Sequence, residues 1–112
     1  MTESHTLRLA VAQFSMTESP ERNIARASEL VRQAHAGGAQ VVLLPELFSG
    51  PYFPREMDPK FFALAHPAAE DPALRALAPL AKEPGVVLPV SFFEKDGDRY
   101  FNSLVVLDAD GR

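Results

Sequence analysis

Glu46 is the residue whose setting most suggests chemistry. The apolar run Val41-Val42-Leu43-Leu44 suits a buried strand, and it ends on Pro45 and this single carboxylate. A carboxylate beside a hydrophobic strand costs free energy unless it is solvated, paired or hydrogen-bonded. The residues that follow, Leu47-Phe48-Ser49-Gly50-Pro51-Tyr52-Phe53, bring three aromatic rings close in sequence. A carboxylate rimmed by Phe48, Tyr52 and Phe53 has the setting of a general base, with the rings as pocket walls. The plainer alternative is a solvated loop glutamate beside aromatic residues that plug the core.

Other chemistries find less support. The chain has no cysteine, which removes disulfides, thiolate metal sites and a thiol nucleophile from these residues. Its three histidines, His5, His35 and His66, are far apart and show no metal-ligand spacing, so no metal is expected. Ser15, Ser49, Ser91 and Ser103 lack the Gly-x-Ser-x-Gly setting of a nucleophile elbow. After the first strand, Ala12-Gln13-Phe14-Ser15-Met16-Thr17 offers no glycine for a pyrophosphate to approach, so a dinucleotide is disfavoured and no cofactor is expected. Glu94, Asp96 and Asp98 read as solvated residues of a turn rather than cation ligands.

The elements that must position Glu46 are legible in the hydrophobic pattern. Residues 6–14, with Leu7, Leu9 and Val11 alternating, predict a first strand. Ser19-Pro20 is a cap followed by proline at the first helical position, and Ile24, Ala27, Val31 and Ala34 recur at helical spacing until Gly37-Gly38 stops them. Residues 40–44 form a second strand, apolar enough to be covered on both faces, completing a βαβ unit. Residues 45–59, rich in proline and aromatics, predict a long irregular loop, and residues 60–66 a short helix. Asp71-Pro72 opens another helix that Pro79 must disturb and Pro84-Gly85 must end. Residues 86–93 and 100–107 predict an antiparallel hairpin around Lys95-Asp96-Gly97-Asp98.

At 112 residues the chain is one domain at most, able to bury about two-thirds of its unfolded surface. It is 46% hydrophobic and 23% charged, an ordinary globular balance that argues against disorder. The net charge is −4 and the eleven Lys and Arg are scattered, so no basic patch invites nucleic acid. No apolar run approaches a membrane span and the start carries no basic leader, from which a cytoplasmic location is expected.

Taken together, Leu7-Arg8-Leu9-Ala10-Val11-Ala12-Gln13-Phe14 with Asn23, Leu44-Pro45-Glu46-Leu47-Phe48, and Tyr100-Phe101-Asn102-Ser103 resemble the opening third of a nitrilase-superfamily carbon–nitrogen hydrolase. Within it, Glu46-Leu47-Phe48-x-x-x-Tyr52-Phe53, Phe61-Phe62 and Ala65-His66-Pro67 are similar to the pattern of N-carbamoylputrescine amidases, which related ureido-hydrolases partly share.

The resemblance implies an α/β fold, the N-terminal part of an αββα sandwich, with a mixed sheet and helices on one face. It implies a Glu-Lys-Cys centre in which Glu46 is the general base, a pocket walled by Tyr52, Phe53 and Phe48, and Asn102 as a structural support. It implies a small amide or ureido substrate and a homo-oligomer when intact. Residues 1–112 are then expected to be the N-terminal portion of one hydrolase domain, ending ahead of the catalytic lysine and cysteine. Half of a two-sheet sandwich would leave the inner face of its sheet open. The competing expectation is a non-catalytic α/β module whose aromatic loop binds a partner.

Overall fold

The computed structural model describes residues 5–56 and 58–111, with residue 55 through its backbone alone. In chain order, β1 (Leu9–Val11), α1 (Pro20–Ala36) and β2 (Val41–Leu43) are followed by the 3-10 turns Phe53–Arg55, Pro59–Leu64 and Ala68–Glu70. Helix α2 (Pro72–Leu80), a wide turn Ala81–Gly85, β3 (Leu88–Asp96) and β4 (Arg99–Leu107) complete the chain.

The expected α/β layer with a mixed sheet is present. β1 pairs with β2 in parallel, and β3 with β4 antiparallel. A parallel bridge between Val41 and Val87 joins the two ladders. There the Val42 N–H donates to the Val87 carbonyl at 3.0 Å and the Val87 N–H to the Gln40 carbonyl at 2.9 Å. The strands therefore lie side by side in sequence order.

Helices cover one face of this sheet. Ala27 and Val31 of α1, Leu77 of α2, Val42 of β2 and Leu88, Val90 and Phe92 of β3 belong to one buried cluster. The opposite face is open: Leu9 and Val11 are 67% and 66% exposed, and Leu43, Leu104 and Val106 are 45%, 61% and 53% exposed. Strand registers place these side chains together, because a period of two alternates faces and cross-strand partners share one.

Strand β1 is shorter than residues 6–14. Its partner β2 has three residues, and Pro45 beyond it has no N–H to extend the ladder. At the other end the Arg8 N–H turns to the Gln40 side chain instead. The short helix expected at residues 60–66 is a 3-10 turn over Pro59–Leu64, opened by Asp58, whose Oδ1 accepts the Lys60 N–H at 2.9 Å. Pro79 does not end α2, which runs on to Leu80. The chain then widens into a turn closed by the Val86 N–H donating to the Ala81 carbonyl. The hairpin loop is tighter than expected: Asp96 pairs with Arg99, leaving only Gly97-Asp98 between the strands. Gly97 has φ of 61°, as the first central residue of a two-residue hairpin loop requires.

Both predicted caps hold. Ser19 Oγ accepts the Arg22 N–H, and Asn23, buried at 1% exposure, fixes the preceding loop through three hydrogen bonds with Thr17. Asp71, 3% exposed, accepts the Leu74 N–H at 3.0 Å. Burial raises the Asp71 pKa above its ordinary 3.8, against the opposing pull of backbone N–H groups and the charge of His66.

A raised acid pKa means the folded chain holds this proton more tightly than the unfolded one. Its contribution to stability therefore falls as pH rises above the ordinary value and through the folded one. Asn keeps a capping oxygen without the charge, whereas Ala removes the cap at a cost of about 1 kcal/mol. In thermal unfolding at pH 7, Asp71→Asn is expected to be at least as stable as the parent and Asp71→Ala less stable, with the Asn advantage shrinking toward pH 3. An Asn variant as weak as the Ala variant at pH 7 would contradict this account.

Candidate active site

Glu46 sits where the ladder stops. Leu44 is buried, Pro45 ends the pairing, and residues 46–49 form a turn whose Leu47 and Ser49 line a cavity together with Pro20 and Ile24 of α1. The turn contains Leu47 at φ of 53°, a left-handed conformation that a bulky residue holds only when its surroundings over-determine it. Two contacts do so: its side chain is 3% exposed and its N–H donates to Ser91 Oγ at 3.1 Å. Phe48 next to it is fully buried and meets Phe14 edge to face at 6.2 Å between ring centres. With Leu47 and Phe48 anchored in the core, Glu46 is turned outward toward the open face.

There its carboxylate is held from both sides. Glu46 Oε1 accepts a hydrogen bond from Asn102 Nδ2 at 2.6 Å, and Oε2 accepts a longer one from the Tyr52 hydroxyl at 3.4 Å. Asn102 is itself fixed, because its Oδ1 accepts from the Ser91 hydroxyl at 3.2 Å while Ser91 Oγ accepts the Leu47 N–H. The relay from the Leu47 backbone through Ser91 and Asn102 uses each group once as donor or acceptor, and so fixes the orientation of the Asn102 amide. Strands β3 and β4 supply the last two side chains on the face shared with Leu104. The result is a cavity of about 370 Å³ walled by Leu43, Leu44 and Leu104, with Glu46, Ser91, Asn102 and Ser103 as its polar lining. Such an arrangement can accept a proton at a carboxylate held in one place beside an apolar surface.

The expected site residues divide. Glu46 is central and Tyr52 is bound to it. Phe53 lies instead among other rings, 4.4 Å from Phe93 and 5.7 Å from Phe61 between centres. Phe48 has no exposed surface and packs in the core, the plainer of the two roles considered for it. Asn102 does more than support the region, since it touches the carboxylate directly. Ser91, set aside as a nucleophile, is a bridging residue. Its signal was its place as the one polar residue in Val86-Val87-Leu88-Pro89-Val90-Ser91-Phe92-Phe93. Among the described residues no group of three or more His, Cys, Asp or Glu is placed to hold a metal ion, and no helix is long and apolar enough to cross a membrane.

Residues 8–112 match the family described as carbon-nitrogen hydrolase. The chain belongs to that family. It is 44% identical over 99 residues to an N-carbamoylputrescine amidase of Arabidopsis thaliana, a match covering 88% of this chain and 33% of the relative. It is 38% identical over 105 residues to a citrullinase of Francisella tularensis, covering 94% of this chain and 37% of that enzyme. The crystal structure of a carbon-nitrogen hydrolase from Helicobacter pylori superposes with a TM-score of 0.85 at 31% identity, over 95% of this chain and 37% of that one. This carbon–nitrogen hydrolase chain thus has the nitrilase-type fold and spans about a third of the length of the curated relatives it matches.

Proposed function

We propose that these residues form the N-terminal part of a carbon–nitrogen hydrolase domain that acts on N-carbamoylputrescine, with Glu46 as its general base. The observation that carries this reading is the carboxylate gripped by Asn102 at 2.6 Å and Tyr52 at 3.4 Å on the rim of a cavity in the open face. The nucleophile is a cysteine and the oxyanion stabiliser a lysine, both supplied from outside these 112 residues, as the resemblance to the nitrilase superfamily implies.

Glu46 takes the thiol proton, and the thiolate attacks the ureido carbonyl while the lysine ammonium balances the charge developing on oxygen. Ammonia departs with the proton that Glu46 returns. Glu46 then takes a proton from water, which attacks the carbamoyl-enzyme; the products are carbon dioxide and putrescine, with the thiol restored. The working protein is cytoplasmic and homo-oligomeric in this reading, and its partner is a small ureide.

Similarity to N-carbamoylputrescine amidases supports the substrate, and the 38% identity to a citrullinase favours citrulline as the second reading. Ammonia release by the intact protein from N-carbamoylputrescine, N-carbamoyl-β-alanine and citrulline at equal concentration separates these. N-carbamoylputrescine is expected to be fastest. Faster turnover of either carboxylate-bearing ureide would overturn the substrate while leaving the general base in place.

A further inference from the structure

The open face continues past Glu46 into a second feature. Phe93 stands opposite Asn102 in the β3–β4 register, and Tyr100 is the next residue of β4 on that face. Successive positions on one face are about 7 Å apart, so an aromatic surface begins within a few methylenes of the Glu46 carboxylate. Phe93 packs on Phe53 at 4.4 Å, and Phe62 on Tyr100 at 4.4 Å. Rings of Phe53, Phe61, Phe62 and Phe93, with Glu56 and Asp58 beside them, line a groove of about 360 Å³.

The character of this groove is that of an ammonium site: ring faces attract a cation, and two carboxylates supply the opposite charge. The chain itself offers a stand-in. Lys60 Nζ lies 5.1 Å from the centre of the Phe61 ring and 3.7 Å from Asp58 Oδ2. That pair is 65% and 44% exposed, a surface contact weak enough for another ammonium to displace.

We propose that this groove, which includes Phe53 but neither Phe48 nor Tyr52, binds the primary ammonium at the far end of the ureide. The inference rests on the proposed hydrolase reading. The Glu46 cavity then holds the ureido group, the sheet face between them carries the methylenes, and Phe61, Phe62, Glu56 and Asp58 read the charge. A carboxylate-ended ureide would place like charges together here, which gives the site a means of rejection as well as attraction.

The test uses the intact protein and two ureides, N-(4-aminobutyl)urea and the uncharged n-butylurea, and follows the ratio of their kcat/KM values. Glu56→Gln with Asp58→Asn keeps an oxygen at position 58 to cap the Pro59–Leu64 turn while removing both charges. It is expected to lower the ratio about tenfold, chiefly through KM for the charged ureide. Lys60→Gln, which removes the resident ammonium, is expected to raise it. A ratio unmoved by the first change, or lowered by the second, overturns the proposal. If the protein hydrolyses neither ureide, N-carbamoylputrescine falls as the substrate, and direct binding decides the groove by itself. Titrated n-butylammonium should shift the ring-proton resonances of Phe61, Phe62 and Tyr100, n-butanol should not, and the double variant should lose the effect. Equal shifts with butanol, or none with butylammonium, would overturn it.

Discussion

Replacing Glu46 by Gln is expected to lower turnover of the intact protein at least about a hundredfold, the scale on which a lost general base is felt. The surroundings make this a clean comparison. Gln keeps an oxygen to accept from Asn102 Nδ2, and its amide nitrogen can donate to the Tyr52 hydroxyl in place of the bond that the carboxylate accepts. Shape and both contacts survive, and only the capacity to take up a proton is lost. The variant should therefore unfold close to the parent temperature while releasing ammonia from N-carbamoylputrescine far more slowly, with kcat carrying the loss. Near-normal turnover would leave Glu46 as a solvated loop carboxylate that two neighbours happen to hold.

What could be read in advance was what is written locally. Ser19-Pro20 and Asp71-Pro72 announce helix starts because cap, proline and first turn lie within four residues, and both caps form as expected. Glu46 was legible because Pro45 marks where an apolar run must stop pairing. The relay behind it was not. Leu47 and Ser91 are 44 residues apart, and Glu46 and Asn102 are 56 apart, so their meeting depends on how β2 docks beside β3 and on the β3–β4 register.

The three aromatic residues after Glu46 part company for a related reason. Phe48, Tyr52 and Phe53 are close in sequence, but the left-handed turn at Leu47 sends Phe48 into the core, and the 3-10 turn at Phe53–Arg55 directs Phe53 to Phe93. Only Tyr52 remains with the carboxylate. Proximity along an irregular loop carries little information about which face a ring will take, whereas alternation along a strand carries a good deal. That is why Ser91, on a strand, left a signal that could have been followed.

The isolated 112 residues are expected to release no ammonia from N-carbamoylputrescine and to associate in solution, for two reasons that can be tested together. The first is chemical. The chain has no cysteine, the Ser91 hydroxyl is committed to Asn102 and that of Ser103 to Glu94, and no histidine lines the Glu46 cavity to activate another nucleophile. The second is the open face. Leu9, Val11, Leu43, Leu104 and Val106 are large apolar side chains on one side of a sheet whose other side is already covered by helices. Soluble monomers keep contiguous apolar patches to about a few hundred Å² because larger ones lower their free energy by finding a partner. The purified chain should thus bind ANS and show a mass above 12.3 kDa. Adding the complementary part of the intact protein should quench the ANS signal as that face is covered, and bring lysine and cysteine to Glu46 so that ammonia release appears. The order of these events is informative: cover without activity would mean that the face recognises its partner but the Glu46 cavity is not completed. A compact monomer that ignores ANS and hydrolyses the ureide unaided would defeat both halves of the argument, because it would have found a nucleophile and a second layer that these residues do not supply.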